Sequence, residues 1–395
     1  MKLHPGVAIT VDSADFDLMT STTDQMVAAW DAFQKRMRPQ LMSGEDAPDI
    51  ANLGMLINLE KAADSGLFID LYPFWNNDPD IIQEDYFQNV LKTNEYNGGL
   101  YAIPTLFNVN LLHLNKRVTG PLGIDVDAMS EISSTGLLDI YLRGLDEGVI
   151  GDDFWINYGD GGKSLLTPRI LADYFDPKTK TARFDSPEFI EYLEKSNRLP
   201  TQHTVFTGLS TSGPDFEEDN NAFLMMNYSS FLEIDRALFS TPNTSAAILL
   251  TMPSGRVICT PSQNYAITNW CKNPELAWEF IKYCIMESEV APLIAVEMGE
   301  GREFNGDRFY GWNPLNKNNF KKHLQACCLA YEVDYTEEIY QKYLSWAERI
   351  SVPISDEGNE MGMLNILTQF YDQGLITAEE CAKQLQERAE IYFLE

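Results

Sequence analysis

This chain is short of positive charge. Its 395 residues include 29 Lys and Arg against 59 Asp and Glu, a formal net charge of −30. The longest basic clusters are the dipeptides Lys35-Arg36 and Lys321-Lys322. A nucleic-acid binder needs a basic stripe that displaces counterions, so that class is excluded. An anionic membrane surface would repel the chain as well. No run of 18 apolar residues crosses a bilayer, and the opening Met1 to Gly6 has no apolar leader segment. Histidine is scarce, at 4 residues, and none of the 6 cysteines forms a C-x-x-C pair, so no zinc template arises. Cys259, Cys271, Cys284, Cys327, Cys328 and Cys381 read as small apolar residues, and Cys327-Cys328 are too close in sequence for a mutual bridge.

Catalytic signatures are missing too. Gly159-Asp160-Gly161-Gly162-Lys163-Ser164 imitates a phosphate loop, but the position five before Gly162 is Asn157 rather than glycine. There is no G-x-S-x-G elbow, no H-E-x-x-H pair and no calcium-loop pattern. With 59 acids, carboxylate pairs arise by chance and do not single out a glycosidase. The expectation is therefore no catalytic residue, no metal ligand and no cofactor.

What is present is globular. Hydrophobic residues make up 44% and aromatics 12%, and the length favours two or three domains. Val7 to Val11 alternates like a strand. Met26, Trp30, Phe33, Met37 and Leu41 form one helix face that stops at Gly44. Asp49 to Leu53 reads as a strand, and 57–65 as a helix stopped by Gly66. Leu100–Pro104 and Val109–Leu114 read as two strands about a proline turn. Helices are expected near 137–147, 164–174, 187–195 and 275–287, with strands over Ala222–Asn227 and Tyr265–Thr268. Thr377-Ala378-Glu379-Glu380 has capping-box form and opens a last helix. Strands alternating with helices imply an α/β fold with parallel sheets.

Several segments, in order, carry a resemblance: His4-Pro5-Gly6-Val7, Leu41 to Ile50, Gly66 to Leu71, Gly99 to Pro104 with Leu114-Asn115-Lys116, Phe184 to Phe189, and Asn273 to Ile281. Together they resemble the extracellular solute-binding proteins of carbohydrate-type ABC importers, which are maltose-binding-protein-like. The close from Thr377 to Glu395 looks like Gram-positive lipoprotein members. The resemblance implies two α/β lobes, each a mostly parallel sheet flanked by helices. Residues 1–106 with 256–310 would form one lobe, and 107–255 with 311–395 the other. Crossings are expected at Pro104, at Pro253-Ser254-Gly255 and near Gly311 to Pro314. Relatives carry a signal peptide, a lipid-anchored cysteine, and a strand and helix ahead of the His-Pro-Gly segment. The chain is accordingly expected to be N-terminally truncated, from an extracellular, membrane-anchored lipoprotein.

The resemblance also implies the function: capture of a sugar or oligosaccharide between the lobes and delivery to permease subunits by a monomer that does no chemistry. Sugars offer flat apolar faces to aromatic rings and hydroxyls to amides and carboxylates. On that basis Thr105, Phe107 and Asn108, which follow the first crossing, are candidate ligand contacts. Trp155 and Tyr158 stand in a Gly/Asp-rich stretch, Tyr228 and Ser229 end a strand, and Trp312 is at the third crossing. Gln263 and Asn264 precede a lobe-one strand, and Asp12 and Asp46 lie in lobe-one loops. Most of these have an ordinary reading as turn, core or solvated residues. The acidity also leaves room for a peptide or polyamine solute, and a glycan-active enzyme is the more distant alternative.

Overall fold

The computed structural model describes residues 6–15, 22–53, 58–150, 155–156, 170–199, 221–228, 245–287, 303–304, 307–308, 313–330, 334–353 and 367–394. Its strands, in chain order, are β1 (Ile50–Asn52), β2 (Glu95–Tyr96), β3 (Gly99–Leu100), β4 (Ile103–Asn115), β5 (Glu131–Ser133), β6 (Trp155–Ile156), β7 (Phe175–Asp176), β8 (Thr181–Ala182), β9 (Asn221–Tyr228), β10 (Ser245–Thr251), β11 (Val257–Ile267), β12 (Glu303–Phe304), β13 (Asp307–Arg308), β14 (Asn313–Pro314) and β15 (Ile350–Pro353).

Local chemistry sets the helices. The Thr22 hydroxyl accepts from the Gln25 N–H at 3.3 Å while the Gln25 side chain accepts from the Thr22 N–H at 2.8 Å, closing a capping box on the helix Thr23–Ser43. That helix ends at Gly44, whose φ of 76° suits a residue without a Cβ. A Cβ there would lie 2.5 Å from the Trp270 ring, so Gly44 also lets the indole close over the helix end. Asn273 caps the helix Pro274–Ile285 and Ser186 caps Pro187–Ser196, each with proline in the first turn. Thr377 and Glu380 form a second capping box on Ala378–Tyr392.

Among the described residues a nine-stranded sheet is built on β4. β11 pairs with β4 over Ile103–Val109, β10 over Leu111–Asn115, β9 over Val109–Leu114 and β14 at Leu106 and Phe107, all antiparallel. β10 with β5, β11 with β15 and β6 with β9 are parallel. The sheet is therefore mixed rather than mostly parallel. The segments that pass between the two cores run in opposite senses, and they pair with each other.

Two large hydrophobic cores form. The first gathers Leu71, Trp75, Phe87, Phe107, Trp278 and Ile281; the second gathers Leu114, Leu138, Tyr141, Phe184, Phe189 and Leu385. β4 leaves the first and enters the second between Leu111 and Leu112, neighbours on opposite strand faces. β10 and β11, joined by the turn 252–256, make the return. The resemblance puts 311–395 in the second lobe, but the helices Lys317–Ala330 and Glu337–Ala347 pack on the first core through Phe320, Leu324, Tyr340, Tyr343 and Trp346, because β14 pairs with β4 and Phe320 lies beside Phe87 and Phe107.

Two further expectations differ. Residues 7–11 alternate but form no strand, and Ile9 and Val11 are exposed. A lone alternating segment has no ladder to join among the described residues. The two strands expected about Pro104 are one strand, since extended backbone accepts the fixed proline φ.

Candidate functional site

Where β4 and β11 run side by side, buried polar residues interrupt the apolar cores. Thr105, Asn108, Asn264 and Asn313 are all at most 8% exposed there, and Asn94 at 3% joins them. The ladder between the strands runs Ser262 to Leu106 and then Asn264 to Pro104, skipping Gln263 and Thr105. At this gap Gln263 has φ 45°, in the left-handed region. The Thr105 hydroxyl donates to Gln263 Oε1 at 3.2 Å, so the two residues meet through side chains.

The residue after the gap is held from several directions. Asn94 Nδ2 donates to Asn264 Oδ1 at 2.6 Å, and Asn264 Nδ2 donates back to Asn94 Oδ1 at 3.3 Å. The Asn264 N–H donates to Asn52 Oδ1 at 3.1 Å, and its carbonyl accepts from the Leu53 N–H at 2.8 Å. Asn94 Nδ2 also donates to the Ala102 carbonyl at 3.2 Å.

Nearby, side chains reach from one core to the other. Lys178, in the β7–β8 turn, donates to the carbonyls of Thr93 at 2.8 Å and Glu95 at 2.7 Å. Burial pushes its amine below the usual range, against the pull of Glu60, Asp176 and Glu95. The Lys61 ammonium sits 4.4 Å from the centre of the Tyr392 ring. Tyr72 donates to the Glu95 carboxylate at 2.9 Å, and burial together with that carboxylate lifts its phenol to about 12.

A sequence profile of the family described as bacterial extracellular solute-binding protein matches residues 1–287. The chain belongs to this family. No curated relative matches by sequence. Among solved structures, this solute-binding protein is similar to the sugar-binding protein MalE from Xanthomonas citri, with TM-score 0.60 and 14% identity over 91% of this chain and 87% of that one. An ABC transporter solute-binding protein from Thermotoga lettingae, bound with α-D-tagatose, gives TM-score 0.54 and 17% identity over 92% and 89%. A family 1 extracellular solute-binding protein from Alicyclobacillus acidocaldarius gives 0.56 and 15% over 92% and 88%. At such identities the likeness shows the fold, the α/β, two-lobe, periplasmic-binding-protein-like architecture. Family membership gives the solute-binding protein an extracellular or periplasmic location.

The sequence candidates fall into three groups. Thr105 and Gln263 meet through their side chains where β4 and β11 pair, and Asn264 is the next residue of β11; Asn108, opposite Thr260, stands farther along β4 on its other face. Phe107 is beside them in sequence, but its ring has no exposed surface. It packs edge-on against Phe87 at 5.2 Å, inside the first core, and offers no wall to a ligand here. Asp12 and Asp46 are elsewhere and exposed. Asp12 receives the Arg36 guanidinium at 2.7 Å, and this bond holds its carboxyl below the usual range. Asp46 has φ 54° in the turn after the first long helix. Only the backbone of Trp155 and Tyr228 is described: Trp155 pairs with Asn221, and Tyr228 with Val109 beside Asn108. Tyr158, Ser229 and Trp312 lie outside the described residues. Sequence reasoning missed Asn52 and Asn94. Asn52 stands in a short strand bounded by apolar Ala51 and Leu53, and an amide inside such a run was the available signal. Among the described residues no group of three or more His, Cys, Asp or Glu is placed to hold a metal ion, and no helix is long and apolar enough to cross a membrane.

Proposed function

We propose that this solute-binding protein is the substrate-binding component of an ABC importer, taking a sugar or oligosaccharide between its two cores and handing it to permease subunits. The observation that carries the reading is the polar stretch on the paired strands β4 and β11, where Thr105, Asn108 and Asn264 are buried and Gln263 is half-buried. Amides are matched to a hydroxyl-rich, uncharged guest, because each donates and accepts. Neighbours of the same fold that bind sugars support the same class.

In this reading the first lobe is residues 1–111 and 256–310 with the helices Lys317–Ala330 and Glu337–Ala347, and the second is 112–255 with 367–394. The cleft lies over the crossings. Trp155, Tyr158, Tyr228 and Trp312 supply the flat faces for sugar rings, and Ser229 adds a hydroxyl. Lobe closure about β4 and β11 is a hinge motion, and only the closed form presents both lobes to the permease in register. The protein acts as a lipid-anchored monomer and leaves its guest chemically unchanged.

A thermal-shift screen with glucose, maltose, maltotriose, a tripeptide and spermidine tests this. A guest at 100 times its Kd adds about 2.7 kcal/mol of stability. The expected result is a shift with one of the sugars and no new product by mass spectrometry. A shift confined to the peptide or to spermidine moves the assignment to those solutes, and a hydrolysed sugar makes the protein an enzyme.

A further inference from the structure

The turn 252–256 is a short link between the cores. Before it Leu250 faces the second core, and after it Val257 is fully buried in the first. The turn closes on itself: the Gly255 N–H donates to the Met252 carbonyl at 2.9 Å, and the Met252 N–H to the Arg256 carbonyl at 2.8 Å. It is also gripped from outside by Asp173, in the helical stretch 170–174. The Asp173 carboxylate, its side chain 4% exposed, accepts from the Ser254 N–H at 2.8 Å, from the Ser254 hydroxyl, and from the Arg256 guanidinium at 3.1 Å. Arg256 donates further to the Ala172 carbonyl at 3.2 Å. Ile170, Leu171 and Tyr174, around Asp173, belong to the second core. From the first lobe Arg349, next to Ile350 of that core, donates to the Gly255 carbonyl at 3.5 Å and makes an exposed ion pair with Glu131. A buried carboxylate with backbone and charged donors outweighs an exposed pair that solvent screens.

We propose that Asp173 staples this turn to the second lobe, so that the chain pivots between Arg256 and Val257 when the lobes move. The inference rests on the two-lobe, sugar-cleft reading and locates its hinge at this crossing. It moves the lobe boundary one residue along, so that Arg256 travels with the second lobe. Beyond the pivot Val257 is fixed to the first lobe: its N–H donates to the Ser351 hydroxyl at 3.2 Å, and it pairs with Ile350 in the β11–β15 ladder. The residues of the turn are thereby held out of the motion, and the torsions left to change are ψ of Arg256 and φ of Val257. A hinge of few torsions follows a defined path, and less backbone has to be ordered when a solute draws the lobes together. Asp173 is a positioning residue, acting on the solute through the turn.

Nitroxide labels carried on ketone-bearing amino acids at exposed Glu84, in the first lobe, and exposed Gln384, in the second, report the inter-lobe distance distribution by double electron–electron resonance without solute. Asp173→Ala is expected to broaden the distribution. Glu131→Ala, which releases Arg349 instead, is expected to leave its width unchanged. An unchanged width in Asp173→Ala, or equal broadening in both variants, overturns the staple. If Asp173→Ala does not fold, Ser254→Ala combined with Arg256→Gln, which removes the hydroxyl and the charged donor and keeps the carboxylate, carries the same comparison. Calorimetry with maltotriose gives the second readout. Asp173→Ala is expected to bind about five-fold more weakly, because the loosened turn has to be ordered on closure, and Glu131→Ala to bind like the wild type. Equal affinity of Asp173→Ala and wild type overturns the positioning role. A wild type that binds no maltotriose counts against the sugar reading alone, and the distance distributions still decide the staple.

Discussion

Phe107 and Asn108 are neighbours with opposite fates. Side chains alternate along a strand, so Ile103, Phe107, Val109 and Leu111 share one face of β4 and enter the first core, while Asn108 turns the other way. Phe107 is fully buried, packed edge-on to Phe87 and parallel to Phe320 at 6.4 Å. Phe107→Ala is expected to lower unfolding stability by about 4 kcal/mol, measured in urea, and to leave the solute affinity of the folded protein unchanged. A loss of affinity with unchanged stability would return the ring to the cleft. The sequence held the information to separate the two residues. The alternation shows only when Pro104 is counted inside the strand, where extended backbone tolerates it.

Elements with strong local signals were legible. The helix Thr23–Ser43, its apolar face and its glycine stop follow from spacing alone, as do the Asn273 and Thr377 caps. The β2–β3 hairpin carries a sequence signal of its own: Asn97 and Gly98 both take positive φ, at 48° and 80°, as an Asn-Gly hairpin turn requires. β5, β14 and β15 were illegible for a different reason. They are two to four residues long and exist only through their partners β10, β4 and β11. Tertiary pairing also docks the helix Pro274–Ile285. Lys282, its side chain 8% exposed, meets Asp78 and Asp80 at 3.0 Å and Glu279 at 2.9 Å, and Trp278 Nε1 donates to Asp78 at 2.7 Å. Burial works against the Lys282 ammonium, but the three carboxylates outweigh it and raise its pKa. Lys282→Ala strands Asp78 in a site only 9% exposed, and an expected loss of about 3 kcal/mol in chemical unfolding checks it. A loss below about 1 kcal/mol, the level of a surface pair, would show that the pairing is incidental.

At the scale of the whole molecule, the two-lobe class was legible from an ordered set of weak motifs. The packing of the helices Lys317–Ala330 and Glu337–Ala347 was not, because it depends on Phe320 finding Phe87 and Phe107 across more than two hundred residues of chain. The amide cluster of Asn52, Asn94 and Asn264 depends on a long-range meeting of the same kind. The account stands on what the cleft between the lobes captures. Calorimetric titration with the maltooligosaccharide series, followed by mass analysis of the recovered sugar, tests it most directly. The account predicts saturable one-to-one binding of at least one member with the sugar recovered intact; no binding by any member, or recovery of a cleaved sugar, would contradict it.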